Sequence, residues 1–141
     1  MLIFTSLLRR VPQLSHEEFV NYHLQVHAPL FVSTPEARKY LRRYTIDHPR
    51  PTHAPGLRPP DYDAVVRMWF DNRFDLIKMF SSRSYWSRIR PDEKRFFDDK
   101  SSEFYLTTEQ IVLDGEVITL PDGAVPYGHE TPEPSEWGQR P

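Results

Sequence analysis

Hydrophobic and polar positions follow two rhythms along this chain. Residues 2–8 are largely apolar and carry no charge, the pattern of a strand buried on both faces. After a polar connector, residues 15–29 switch to helical spacing. With His16 set at 0° and roughly 100° per residue, His23 falls near 340° and His27 near 20°. On the same arithmetic Phe19, Val26, Tyr22 and Leu30 fall at roughly 300°, 280°, 240° and 320°. This predicts one amphipathic helix with its histidines on or beside the apolar face. Ser15 and Glu18 have the spacing of a capping box, and Leu14 can staple onto Phe19. Pro29 and Pro35 bracket the exit, with room for a short helix over 35–40.

Strand alternation returns over residues 41–48. Arg42, Tyr44, Ile46 and His48 share one face there; Leu41, Arg43, Thr45 and Asp47 share the other. Neither face is purely apolar, which implies a polar cavity beside the strand. Residues 49–60 are too rich in proline for regular structure. Residues 62–70 read as a third strand, with Asp63, Val65, Arg67 and Trp69 opposite Ala64, Val66, Met68 and Phe70. Asp71 is placed to cap a second helix through Phe74, Ile77, Met79 and Phe80, interrupted at Ser81-Ser82 and resumed through Tyr85, Trp86 and Ile89. Pro91 opens a further turn, with Asp92 and Glu93 suited to a helix N-terminus and Phe96 and Phe97 packing inward. Residues 104–112 read as a fourth strand, and Asp114-Gly115 as a turn into a hairpin return over 116–120.

The order β-α-β-β-α-β is the split βαβ, ferredoxin-like pattern: an α+β fold whose four-stranded antiparallel sheet carries two helices on one face. One domain over 1–120 and a proline-rich tail over 121–141 are expected. The other sheet face carries aromatic and large aliphatic residues, so a homodimer packing two sheets together is expected as well.

Composition narrows the function. The 141 residues are 13% aromatic, enough for a folded interior, and the net charge of −2 gives no basic footprint for nucleic acid. No apolar run reaches membrane-spanning length and no signal-peptide pattern opens the chain, so no membrane partner and a cytoplasmic location are expected. The absence of cysteine excludes disulfides, thiolate metal sites and a cysteine nucleophile. Phosphate loops, dinucleotide fingerprints and a nucleophilic serine elbow are missing.

An ordered set of segments resembles the EthD-type family of dimeric α/β-barrel proteins. It comprises Leu14-Ser15-His16-Glu17-Glu18-Phe19-Val20-Asn21-Tyr22, Val26-His27-Ala28-Pro29, Arg43-Tyr44, Asp61-Tyr62-Asp63-Ala64-Val65-Val66, Met68-Trp69-Phe70, Ser84-Tyr85, Arg90-Pro91-Asp92-Glu93 and Phe96-Phe97-Asp98. The family commonly has Trp where this chain has His23. The resemblance implies a homodimer with a barrel-like sheet assembly. It also implies kinship with cofactor-free decarboxylases, dehydratases, cyclases and oxygenases of aromatic polyketide and phenol pathways, or with accessory proteins of ether-degrading oxygenases.

Against that background His27, His48 and His23 are the candidate catalytic residues. His27 lies in the family's His-Ala-Pro element and has the chemistry of a general acid or base, or of a helix C-cap. His48 ends the second strand at the barrel edge, or faces water before Pro49. His23 is a new catalytic group or a core substitution. His16 is expected to be solvated at the cap. His23 and His27 have the spacing of helical zinc ligands, with a third ligand available from His48, Asp61 or Asp63, but Leu24 stands where a His-Glu-x-x-His motif has Glu, so no metal is expected. Tyr22, Tyr44, Asp63, Arg67, Trp69, Phe80 and Trp86 are candidate substrate-binding residues for a flat ring and its oxyanion. The expected function is a cofactor-free lyase acting on an aromatic or polyketide-derived small molecule. The alternatives are a cofactor-free or haem-assisted oxygenase, and a non-catalytic accessory protein.

Overall fold

The computed structural model describes residues 1–50 and 54–115. Its strands are β1 (Leu2–Leu8), β2 (Leu41–Asp47), β3 (Ala64–Phe70) and β4 (Glu103–Thr107), in the spatial order β2-β3-β1-β4. All pairings are antiparallel. This is the expected α+β, ferredoxin-like arrangement. Register fixes the two faces, because residues directly opposite one another point the same way. Phe4, Met68 and Tyr44 align across three strands, as do Ser6, Val66 and Ile46. Their face meets the helices. Thr5, Arg67 and Thr45 align on the reverse face, and so do Ile3, Trp69 and Arg43.

The first helical run is continuous but not uniform. Helix α1 (His16–Tyr22) begins at Ser15, whose hydroxyl accepts from the Glu18 N–H while Glu18 returns to the Ser15 N–H, completing the capping box. A π-helical turn, His23–His27, follows, in which the Ala28 N–H reaches back to the His23 carbonyl. Helix α2 (Ala28–Ser33) completes the run, with Pro29 at its second position directly after the π turn. The wider turn shifts the helical phase. Val26, expected on the apolar face, is therefore turned outward and 43% exposed, while His23 and His27 are both buried.

Thr34 caps α3 (Pro35–Tyr40) by accepting from the Ala37 N–H, and the chain enters β2 directly. The second run begins with α4 (Arg73–Phe80). Asn72, rather than Asp71, supplies its N-cap by accepting from the Asp75 N–H; Asp71 pairs with Arg42 instead. A second π turn, Tyr85–Ile89, leads into α5 (Arg90–Glu93). β4 is shorter than the expected 104–112. A compact unit spans Met1–Thr108. Residues 109–115, the described part of a second unit, form no helix or strand. The expected hairpin return at 116–120 and the tail over 121–141 lie outside the described residues. Among the described residues no helix is long and apolar enough to cross a membrane.

The core lies between the helices and the inner sheet face, built by Leu8, Phe19, Phe31, Val66, Phe70, Met79, Ile89, Phe96 and others. Phe96 is its hub: its ring sits 5.3 Å from Phe19, 5.1 Å from His23 and 4.7 Å from His27, centroid to centroid. Phe96→Ala is expected to cost about 3–5 kcal/mol in urea unfolding. Trp86→Ala, at a position 60% exposed, is expected to change stability by no more than about 0.5 kcal/mol. Equal losses for the two variants would contradict this account of the core.

Candidate active site

His27 and Asp92 come from opposite helical runs and meet inside the fold. His27 Nδ1 lies 2.9 Å from Asp92 Oδ2, with both residues buried. A carboxylate only accepts, so His27 donates from Nδ1 and its Nε2 keeps a lone pair. The Tyr22 hydroxyl donates to the other Asp92 oxygen. Burial lowers the His27 pKa, and the neighbouring Asp92 only partly opposes that shift. Burial, together with Asp92, raises the Tyr22 pKa, so the phenol keeps the proton it donates. The arrangement fixes a neutral imidazole in one tautomer and one orientation.

His23 sits one turn earlier and is 0% exposed. Its Nδ1 lies 3.1 Å from His48 Nε2. Its own Nε2 is buried with no hydrogen-bond partner among the described residues. Burial, reinforced by His27 and His48, pushes the His23 pKa down to about 3. An orphaned polar atom of this kind costs on the order of 1–3 kcal/mol when it bears a proton.

Both imidazoles line a cavity of about 410 Å³ between the helices and the inner sheet face. Phe4, Val66, Met68, Phe80 and Phe97 give it apolar walls; Ser6 and Tyr44 contribute hydroxyls. Burial raises the Tyr44 pKa, which keeps its phenol a donor. A second polar group stands on the α5 side. Glu93 Oε2 accepts from the Tyr85 hydroxyl at 2.9 Å and from Arg90 Nη1 at 3.0 Å, and Arg90 also pairs with Asp99. Burial raises the Glu93 pKa. Each π turn therefore delivers cavity residues: His23 and His27 from the first, Tyr85 from the second. Among the described residues no three His, Cys, Asp or Glu side chains converge as a metal site.

The sequence pattern that defines the EthD domain matches residues 11–100, most of the compact unit. The chain belongs to the EthD domain family. Solved structures share the fold. A protein of the ethyl tert-butyl ether D family from Bacillus halodurans superposes with a TM-score of 0.58 at 16% identity, covering 78% of this chain and 100% of its own. An EthD-like protein from Ralstonia eutropha gives 0.53 at 16% identity, with 80% and 94% covered. HapK from Hahella chejuensis gives 0.52 at 12% identity, with 86% and 100% covered. No curated protein matches the sequence.

In this EthD domain the residues singled out from sequence separate into groups. His23, His27, Tyr44 and Phe80 line the cavity. Tyr22 and His48 stand behind it, each hydrogen-bonded to a group at the cavity wall or to its partner. Arg67 and Trp69 lie on the reverse sheet face, where Arg43 and Arg67 stack on Trp69 at 4.9 and 5.3 Å from its ring centre. Strand alternation separates them from the histidines, so they do not reach the cavity. Asp63 is also elsewhere. It accepts from Arg10 and from His16, clasping the end of β1, the first turn of α1 and the start of β3. His16 is thus not simply solvated, since its Nε2 also contacts the Pro49 carbonyl. Trp86 points to solvent because the second π turn rotates it away.

Asp92, bonded to His27, and Glu93, in the cavity lining, are the residues that a reading of Pro91-Asp92-Glu93 as a helix start overlooks. A signal was present: both lie three or four positions from Ile89 and from Phe96, on the apolar stripe.

The depressed His23 pKa has a thermodynamic consequence. Between pH 6.5 and about 3 the unfolded chain binds a proton at this position and the folded chain does not. The contribution to stability is therefore complete above pH 6.5 and is lost as pH falls toward 3. In urea titrations at pH 7 and pH 4.5, the wild type is expected to lose about 2 kcal/mol more than His23→Leu over that interval. Parallel profiles would contradict a buried neutral His23.

Proposed function

We propose that this EthD domain is a cofactor-free lyase, a decarboxylase, dehydratase or cyclase, acting on an aromatic or polyketide-derived small molecule by histidine acid–base catalysis. The observation that carries the reading is the buried Asp92–His27 pair at the wall of an apolar cavity. In it, His27 Nε2 removes a proton from a carbon acid or hydroxyl of the substrate and returns it to the product or leaving group. Asp92 holds the tautomer and stabilises the transient imidazolium, while the Tyr22 hydroxyl shares the carboxylate's charge. Tyr44, kept protonated by burial, donates to the oxyanion that develops on the enolate or phenolate.

The walls support the substrate class. Pockets for organic ligands run from roughly 300 to 1,000 Å³, mostly apolar with a few convergent polar groups. A cavity of about 410 Å³ with Phe4, Phe80, Phe97 and Phe104 in its lining suits one or two fused rings. Arg90 is neutralised by Glu93 and Asp99, so it supplies hydrogen bonds rather than a free positive charge. The reading includes a homodimer, supported by the family resemblance and by the exposed Phe104, Tyr105 and Leu106 on edge strand β4.

The test is a panel of aromatic β-hydroxy ketones, aromatic carboxylic acids and poly-β-ketones, followed by mass spectrometry for loss of water or carbon dioxide and by an oxygen electrode. Turnover without oxygen uptake is expected, from a species of twice the chain mass in light scattering. His27→Gln is expected to reduce turnover by about 10²–10⁴-fold, and Asp92→Asn by at least tenfold. Full activity in both variants would contradict acid–base catalysis at this pair, and stoichiometric oxygen uptake would assign an oxygenase instead.

A further inference from the structure

The geometry points to a proton relay, His23 to His48, that connects the cavity with solvent. The inference rests on the reading of the cavity as an acid–base site and adds the route by which that site exchanges protons. His23 is fully buried and lines the cavity; His48 does not line it, and is only half-buried on the stretch that leaves β2. Their rings meet edge to face, 5.2 Å between centres, with His23 Nδ1 and His48 Nε2 at 3.1 Å. A structural histidine in a core is satisfied equally well by a backbone carbonyl. Here the partner is a second ring able to both accept and release a proton, and the far nitrogen of His23 has no partner among the described residues.

The groups around the pair favour neutral rings. His23 is packed against Phe19 and Phe96, with His27 5.9 Å away. His48 faces the Phe19 ring, and His16, Asp47 and Asp63 are the charged or titratable groups near enough to act on it. Burial and His16 lower its pKa, against the opposing pull of Asp47 and Asp63. Two neutral imidazoles in contact share one proton, so two tautomeric states exist.

The step balances. His48 Nε2 passes its proton to His23 Nδ1. His23 Nε2 releases its own proton to a carbanion or alkoxide of the substrate, and His48 Nδ1 takes one from water. One proton has entered, no charge remains on either ring, and both rings are left as their other tautomers. The outward stroke resets them: His23 Nε2 takes a proton released in the cavity, His23 Nδ1 passes one to His48 Nε2, and His48 Nδ1 returns one to the hydroxide left outside. His48 is then a positioning and exchange residue rather than a catalytic one.

The experiment requires no substrate. Exchange of the His23 ring N–H with water is measured by NMR on the full chain labelled with ¹⁵N-histidine, as a function of added imidazole buffer. In the wild type, exchange is expected to rise with buffer concentration. In His48→Gln, which retains a hydrogen-bonding amide, it is expected to slow at least tenfold with the unfolding midpoint little changed. In His48→Gly, free imidazole is expected to restore it. Exchange that is independent of both buffer and His48 would overturn the relay while leaving the His27–Asp92 pair untouched. Loss of turnover in His27→Gln with normal His23 exchange separates the two claims from the other side. Should His48→Gln fail to fold, the buffer dependence of the wild type decides alone.

Discussion

Asp92 is the constraint on which the rest of the site depends. A carboxylate taken out of water is unfavourable unless its lone pairs are met, and here the Tyr22 hydroxyl and His27 Nδ1 meet them. Both donors belong to the first helical run and the acceptor to the second. The pair therefore ties the two helical layers together over the sheet, with Phe96 wedged against His23, His27 and Tyr22. Breaking one side would strand a charge in the core. Satisfying it fixes the imidazole so that its free nitrogen has one role. Structure and chemistry draw on the same two hydrogen bonds.

The π turns explain how the helical runs serve this arrangement. An α-helix repeats every 3.6 residues or so, and the wider turn carries the chain further round before it closes. At His23–His27 this change holds two histidines on the interior side while Val26 swings out. At Tyr85–Ile89 it brings the Tyr85 hydroxyl to Glu93 and turns Trp86 to solvent. The cavity is bounded on its helical side by residues from both places. Irregular hydrogen bonding is thus concentrated where the polar residues sit, and the sheet supplies the regular, mostly apolar wall.

Much of the fold was legible in the sequence because it rests on local rules. The uncharged β1, the Ser15–Glu18 capping box and the alternation of β3 each predict their element, and their order predicts the sheet. The failures are physical in kind. Asp71 and Asn72 are both good caps, and only tertiary pairing with Arg42 assigns Asp71 elsewhere. A periodicity of 100° per residue cannot anticipate a π turn, so Val26 and Trp86 were placed on the wrong side. Among the cavity-lining residues, His23, His27 and Phe80 were legible from helical spacing and Tyr44 from the resemblance. Arg67 and Trp69 were not separable from them, because alternation says which residues share a face but not which face the helices cover. Asp92 and Glu93 were hidden by their suitability for a helix N-terminus, a local role that masked a tertiary one.

The central claim is that burial keeps His27 neutral while Asp92 fixes its proton on Nδ1, leaving the lone pair on Nε2. The ¹⁵N shifts of the His27 ring at pH 7 test it directly, since protonated and unprotonated imidazole nitrogens differ widely. The account predicts a protonated Nδ1, an unprotonated Nε2, and loss of this fixed assignment in Asp92→Asn. A doubly protonated ring, or a proton on Nε2 in the wild type, would contradict it.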